Sequence, residues 1–273
     1  PKAGVHVEES RQPTIAIDAT KLIHDHILPK IRDDMCTFEH GFDSFFPAMG
    51  WTCGHLSDGG IPLILGFDFL PSISSDNLKA FCAAFGTTGS APLFHMADVT
   101  PEAMGDEVIK QMLISCGDRR VEVTKSDLCN SYETLDSGND GSDDVSLVAL
   151  GNPHLSVQEL EQLTTLIAYD DRPKHEYVQV IATLGRHTQE LGDTQKLESF
   201  GVQLINDTCW CMLLDPPIIP SNPDAKILTN SGKYAHYGPG LTNRQVRFGS
   251  MIDCVEASKS GKVKSGGNSS VPQ

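Results

Sequence analysis

Residues 230–240 concentrate more reactive groups than any comparable stretch of the chain. Ser231 brings a hydroxyl, Lys233 an ammonium, His236 an imidazole, and Tyr234 and Tyr237 two phenols, with glycines at 232, 238 and 240. A hydroxyl near an ammonium is the pairing an oxygen base needs, since the alkoxide must be stabilised, and imidazole moves protons near neutral pH. Glycine lets backbone approach a ligand closely. The stretch follows the short apolar run Ile227-Leu228-Thr229, so it reads as a loop leaving the C-terminal end of a strand. The plain alternative is a polar, Gly/Pro-rich surface turn.

Other polar groups follow apolar runs in the same way. Asn152 and His154 follow residues 145–150, Arg186 follows residues 177–182, Asp207 and Cys209 follow residues 202–205, and Ser250 and Cys254 follow residues 246–248. Upstream, Thr87-Thr88-Gly89-Ser90 lies between a helical run (residues 77–85, closed by Gly86) and the apolar Ala91-Pro92-Leu93-Phe94, and reads as a turn or an anion-cradling loop. Cys209 and Cys254 at two strand exits suggest a soft metal or a cluster, which normally needs a third protein ligand from Cys211, Cys53, His154 or His236. No CxxC pair is present, and a thiol nucleophile paired with His or a zinc hydrolase stays open beside the cluster. Cys82, Cys116 and Cys129 read as small buried hydrophobes.

The elements that must position these groups alternate regularly in the second half. Apolar runs at 145–150, 177–182, 202–205, 227–229 and 246–248 are separated by helical patterns, one opened by a Ser156/Glu159 capping box with Leu160, Leu163 and Ile167 as its buried face. Gly201 closes another. Strand, loop, helix at this spacing predicts a parallel doubly wound sheet, and in such sheets ligands bind outside the carboxyl ends of the strands. All the polar exits just named then share one edge. In the first half, residues 14–17 and 61–65 read as strands, residues 19–28 as a helix ending before Pro29, and Thr100-Pro101 as a helix start. The expected organisation is a first α/β part over residues 1–116, an acidic connecting segment over 117–144, a second α/β part over 145–261 and a disordered tail over 262–273.

A formal net charge of −15, from 21 Lys plus Arg against 36 Asp plus Glu, repels phosphate backbones and anionic membranes, so no nucleic-acid or membrane partner is expected. No run of apolar residues is long enough to span a bilayer. Eight cysteines in 273 residues are too sparse for a disulfide scaffold, and with no leader in view the expected compartment is reducing, the cytoplasm. The first residue is Pro1, which suggests an N-terminal piece lying outside the sequence.

Gly151-Asn152-Pro153-His154-Leu155-Ser156, Asn206-Asp207-Thr208-Cys209, the string from Asn230 to Tyr237 with Pro239-Gly240, and Asp253-Cys254-Val255 occur in the order and approximate spacing of the aconitase X family, which this chain resembles from about residue 3 to 261. Leu78-Lys79-Ala80, residues 89–95 and Val99-Thr100-Pro101-Glu102-Ala103 also resemble it. The resemblance implies an α/β, aconitase-like fold of parallel doubly wound sheets with helices on both faces. It further implies a hydro-lyase that is iron–sulfur dependent (2Fe–2S or 4Fe–4S) and eliminates water from a small hydroxylated carboxylate such as cis-3-hydroxy-L-proline. By the same resemblance Cys209 and Cys254 are cluster ligands and Ser231 is the base. Lys233 supports its alkoxide, and His154 and His236 either deliver a proton to the leaving hydroxyl or support the groups around it, the plain alternative being hydrogen-bonded structural histidines. Thr88, Ser90, Asn152, Arg186 and Asn230 bind the small anionic substrate, with Arg186 on a carboxylate. Many relatives carry Cys where this chain has Asn152. The remaining cluster cysteine, in an N-terminal part, and a small swivelling domain or subunit are the expected partners. The alternative under the same resemblance is a truncated relative that binds a small anion or partner domain without turnover.

Overall fold

The structure is a computed structural model that describes residues 11–33 and 42–263. Two all-parallel sheets organise it. The first takes β1 (Ile15–Asp18), β2 (Pro62–Leu65), β3 (His95–Met96) and β4 (Arg120–Glu122) in the order β3-β2-β1-β4. Its helices are α1 (Thr20–Leu22), which runs through a π turn (Ile23–Ile27) into α2 (Leu28–Asp33), then α3 (Phe45–Leu56), α4 (Ser75–Thr88), α5 (Asp106–Cys116) and α6 (Lys125–Leu135). The second sheet takes β5 (Leu147–Leu155), β6 (Gln179–Leu184), β7 (Val202–Asn206), β8 (Lys226–Thr229) and β9 (Gln245–Phe248) in the order β7-β6-β5-β8-β9. It is wound by α7 (Val157–Ala168), α8 (Arg186–Leu191), α9 (Gln195–Phe200), α10 (Gly232–Thr242) and α11 (Met251–Ser260).

Alternation along the strands sorts the layers. In β5, Leu147 and Ala149 join one apolar cluster while Val148 and Leu150 join another, so the two clusters lie on opposite faces of the second sheet. The first cluster also holds Ile17, Phe45, Phe81, Leu128 and Tyr234, which places α3, α4, α6 and α10 between the two sheets. The other face of the second sheet packs on α7, α9 and α11 through Leu160, Leu163, Leu197 and Val255. Met112 and Cys116 of α5 cover Ala16 and Leu63 on the outer face of the first sheet. Each fully buried Leu or Ile in these layers contributes about 1.5–3 kcal/mol. Because one cluster runs through both halves, the two sheets share a core.

Several local expectations change. The helical turn from Thr20 passes Pro29 and ends at Asp33, because a π turn widens the backbone just where Pro29 cannot donate an α-helical hydrogen bond. Gly86 does not stop α4, which continues to Thr88 and ends against Gly89. The acidic segment 117–144 is a loop in its latter part, as its composition predicts, but it is not a mere connector before that. Its first part supplies edge strand β4, paired with β1, and α6, whose capping box joins Thr124 and Asp127. Edge position explains why β4 carries no apolar pattern: Arg120 and Glu122 are exposed. Of the expected tail, Lys262 bridges Asp144 and Val263 is buried, while 264–273 lie outside the described residues. Cys82 is exposed, against expectation, on the solvent side of α4.

Candidate active site

Sheet order decides where a cleft can form. β5 is central to the second sheet. From it the chain winds one way to β6 and β7 and then the other way to β8 and β9, so β5 and β8 flank the topological switch point. Asn152 lies there in the irregular part of β5, where the pairing with β6 shifts between Leu150 and Leu155, so the expected loop after residues 145–150 belongs to the strand; Asn230 and Ser231 leave β8. Gly151 makes the turn possible: its φ is +87° and an added Cβ would stand 2.1 Å from the Thr183 carbonyl oxygen, so no other residue fits. Gly232 plays a second part, since a Cβ on it would meet the Pro47 Cβ at 2.9 Å, and its absence lets α10 start against α3 and α4.

Two adjoining cavities open at this point. The larger, about 410 Å³, is lined by residues that include Asp43, Ser74, Asp76, Glu159, Asn230 and Met251. The smaller, about 30 Å³, is lined by residues that include Lys79, Asn152, Glu159, Asn230, Ser231 and Gly232. Glu159, Asn230 and Ala80 border both. Most polar groups around them are already engaged. Lys79 Nζ donates to the His154 carbonyl at 3.1 Å, pairs with Asp76 Oδ1 at 2.9 Å and also bonds Glu159 Oε2. Ser156 Oγ donates to Asp76 Oδ2 at 2.7 Å, and capping boxes at Ser74/Asn77, Ser156/Glu159 and Ser250/Asp253 close the first turns of α4, α7 and α11.

Among the described residues, two unpartnered buried atoms belong to the lining of these cavities. Asn152, 5% exposed, has a buried Nδ2 with no hydrogen-bond partner. Asp43 accepts at Oδ2 from the Met251 N–H (2.9 Å) and from Asn230 Nδ2 (3.5 Å), but its buried Oδ1 has no partner. Burial pushes the Asp43 carboxyl up to about 7, against the two hydrogen bonds that favour its charged form, and the nearby Asp253 adds to the rise. Burial also raises Glu159, in spite of Lys79.

The residues singled out from sequence separate into groups. Ser231 is no loop residue but the N-cap of α10: its Oγ accepts from the Tyr234 N–H at 3.0 Å and donates to the Asn152 carbonyl. The expected loop is thus a helix from its third residue, with Pro239 inside it. Asn152, Asn230 and Ser231 are brought together at the cleft. Lys233 is directed elsewhere, with its charge felt at Cys211. His154 has Nε2 2.9 Å from the Thr208 carbonyl and so donates to it. His236 accepts at Nδ1 from Trp51 Nε1 (3.1 Å), and burial lowers its pKa, so its ring is neutral and committed to a structural bond. Thr88 and Ser90 are not at the cleft: they lie at the far end of α4 from Asp76, where Thr88 Oγ1 donates to the Trp51 carbonyl at 2.8 Å. Arg186, 73% exposed, pairs with Asp207 at 3.2 Å on the surface.

The two candidate ligand cysteines sit differently. Cys209 is half-buried beside Cys211, whose N–H points at its Sγ at 3.5 Å. Its neighbour Trp210 belongs to the cluster between the sheets, whereas Cys254, fully buried, belongs to the cluster on the opposite face. Burial, then Asp253 and Asp43, push the Cys254 thiol well above its usual range. Among the described residues no group of three or more His, Cys, Asp or Glu is arranged to hold a metal ion.

Asp43 was invisible to motif reading, yet it carried a signal: a single carboxylate within Phe42-Asp43-Ser44-Phe45-Phe46 is an acid in an apolar run, which is costly unless used. Asp76 and Glu159 carry no signal beyond helix caps and ordinary surface charge, and Lys79 only its place in the family-like Leu78-Lys79-Ala80.

Comparison with known proteins agrees with this architecture. The aconitase X second-domain model matches residues 13–133 and the third-domain model residues 145–260. A cis-3-hydroxy-L-proline dehydratase of Hypocrea jecorina is 40% identical over 267 residues, covering 96% of this chain and 41% of that protein. One of Pseudomonas aeruginosa is 38% identical, covering 97% and 42%. A phosphomevalonate dehydratase large subunit of Methanocaldococcus jannaschii is 26% identical, covering 94% and 57%. The crystal structure of Thermococcus kodakaraensis aconitase X in its holo form shares the fold, with a TM-score of 0.67 at 22% identity over 94% of this chain and 58% of that one. The chain thus spans about two-fifths of the hydroxyproline dehydratases it matches. With two parallel sheets, a switch-point cleft and both domain models in register, the chain belongs to the aconitase X family, of which it carries the second and third domains.

Proposed function

We propose that this chain forms the central part of a hydro-lyase that eliminates water from cis-3-hydroxy-L-proline or a close analogue. The observation that carries the choice is the cleft itself. Among the described residues its larger cavity is lined by three carboxylates, Asp43 and the Lys79-paired Asp76 and Glu159, and by no arginine or lysine, a poorer setting for a phosphate than for a small amino acid. The greater identity to the two hydroxyproline dehydratases than to the phosphomevalonate enzymes points the same way.

In this reading Ser231 removes the proton α to the substrate carboxylate while the hydroxyl on the next carbon leaves with a proton, as water. As N-cap of α10, Ser231 stands at the positive end of a helix, where N–H groups and the dipole favour a developing alkoxide. Lys233, His154 and His236 act as support for that edge. The reading extends to an iron–sulfur cluster held in part by Cys209 and Cys254, with a further ligand from an N-terminal part and with a small swivelling domain or subunit closing the cleft. In that reading Cys209 and Cys254 would each bind as thiolates, the metal displacing the proton that burial holds on Cys254. Bound there, the cluster supplies a Lewis acid. All described cysteines are free thiols and no described helix is long and apolar enough to cross a membrane; the reading places the protein in the cytoplasm.

The test is a dehydration assay of the full-length protein on cis-3-hydroxy-L-proline and on phosphomevalonate, with Ser231→Ala and Ser231→Asn. Asparagine caps a helix as well as serine does, so it separates folding from chemistry. Turnover of hydroxyproline alone is expected, with kcat reduced at least about a hundredfold in both variants. Full activity of Ser231→Asn would remove Ser231 from the chemistry.

A further inference from the structure

Asp43 and Asn152 lie at two ends of one cleft, and each keeps one buried polar atom unmatched. Burying an unpartnered donor or acceptor is costly, and the surrounding groups have avoided it: Lys79 bonds Asp76, Glu159 and a backbone carbonyl, and the three capping boxes close on themselves. The leftover pair is complementary in kind. Asp43 Oδ1 is an acceptor, charged when the carboxyl is ionised, and Asn152 Nδ2 is a donor. The cavity that Asp43 lines has room for a ring-sized ligand, and the 30 Å³ chamber that Asn152 lines has room for about one heavy group such as an oxygen.

We infer that Asp43 is the specificity-determining residue of the cleft, accepting a hydrogen bond at Oδ1 from the substrate's amine while Asn152 Nδ2 donates to a carboxylate oxygen. This rests on the hydroxyproline reading above and sharpens it to two atoms. Three features hold Asp43 ready for that task. The Met251 N–H at the first turn of α11 and the Asn230 amide both fix Oδ2, which leaves Oδ1 as the only acceptor to spare. Lys79, which lines the smaller cavity, is already committed to Asp76 and Glu159, so the described residues lining the cleft offer Asp43 no free cation. The aromatic neighbours Phe42 and Phe46 line the same cavity and keep the contact dry, where a charge pair is worth most.

The experiment compares two ligands on two proteins by calorimetry, with the full-length protein. The ligands are cis-3-hydroxy-L-proline and cis-2-hydroxycyclopentane-1-carboxylate, which has a methylene in place of the amine. The proteins are wild type and Asp43→Asn, an isosteric change that removes the charge. In wild type the carbocycle is expected to bind roughly thirtyfold more weakly or worse, and Asp43→Asn to weaken hydroxyproline by a similar factor while shifting the carbocycle less than about threefold. Dehydration kinetics should show the loss in KM, with kcat within about threefold. Equal wild-type affinity for both ligands overturns the assignment without any variant. Equal weakening of both ligands in Asp43→Asn, or a loss confined to kcat, overturns it as well, giving Asp43 a shaping or chemical role. If wild type turns over hydroxyproline but fails these comparisons, only the Asp43 assignment falls; if wild type binds neither ligand, the substrate reading falls with it.

Discussion

The two sheets of this chain share one topology and treat their carboxyl edges in opposite ways. In each, the first strand is central and the chain winds outward on both sides. At the end of β1, Asp18 accepts from the Thr20 N–H at 3.0 Å and pairs with Arg120 of neighbouring β4. Burial works against its charge, but those hydrogen bonds outweigh it and hold its carboxyl below the ordinary range. At the matching end of β5, Asn152 keeps an unpartnered Nδ2, and nearby Asp43 is pushed up to about 7. One edge is closed on itself. The other is left open, with its unmet polar atoms lining a cleft. A doubly wound sheet offers a binding edge by topology, and side-chain satisfaction decides whether the edge is used.

The largest expected effect comes from breaking the tie that makes the open edge rigid. Arg247 in β9 is 1% exposed and bonds Asp136 through Nε at 2.7 Å and Nη2 at 3.2 Å, joining the loop after α6 to the second sheet. Asp136 also accepts from the Phe248 N–H at 2.9 Å. Asp136→Ala strands a buried guanidinium, and urea unfolding should show a loss of about 3 kcal/mol or more. A loss under about 1 kcal/mol would mean that water reaches Arg247 and that the two halves are less firmly joined than the shared core suggests.

A smaller and more pointed effect separates the two edges directly. Asn152→Leu exchanges an unmet amide for an apolar group of similar size, so stability should hold or rise by about 1 kcal/mol while dehydration falls at least about tenfold. Asp18→Ala should do the reverse, costing about 1 kcal/mol through the lost bonds to Thr20 and Arg120 and leaving turnover intact. Paired melting curves and steady-state rates decide it. If both variants lose stability and neither loses activity, the contrast between the edges is one of packing alone.

How far the sequence foretold this differs between scaffold and site, for a physical reason. Strand and helix patterns are local, so the β5 run, the Ser156/Glu159 capping box, the buried face at Leu160, Leu163 and Ile167 and the Gly201 terminus were all readable. Residues 232–242 were misjudged because three glycines and a proline outweighed the Ser231 cap that starts the helix. The cleft is non-local. Asp43 meets Met251 across 208 positions and Asn230 across 187, and no spacing rule reaches that far. Strand-exit logic placed Asn152, Asn230 and Ser231 together because they lie toward the carboxyl ends of adjacent strands β5 and β8. It did not bring Arg186, which pairs with Asp207 on the surface, to the cleft, and it never covered Thr88 and Ser90, which were read as an anion-cradling loop and lie at a helix end.

The smallest expected effect tests how far along the open edge the site extends. Arg186 leaves β6, one strand beyond the switch point, and resemblance made it the carboxylate clamp. It is 73% exposed and its partner Asp207 is 51% exposed, with 3.2 Å between them. An exposed pair of that kind is worth at most about 0.5 kcal/mol, so Arg186→Ala should barely move the melting curve. The informative reading is kinetic. With the cleft confined to the space between β5 and β8, KM for hydroxyproline should stay within about twofold, because the proposed pose gives the carboxylate to Asn152. A KM raised more than about tenfold at unchanged stability would mean that Arg186 leaves Asp207 when substrate arrives, and the binding edge would then run across β6 as well.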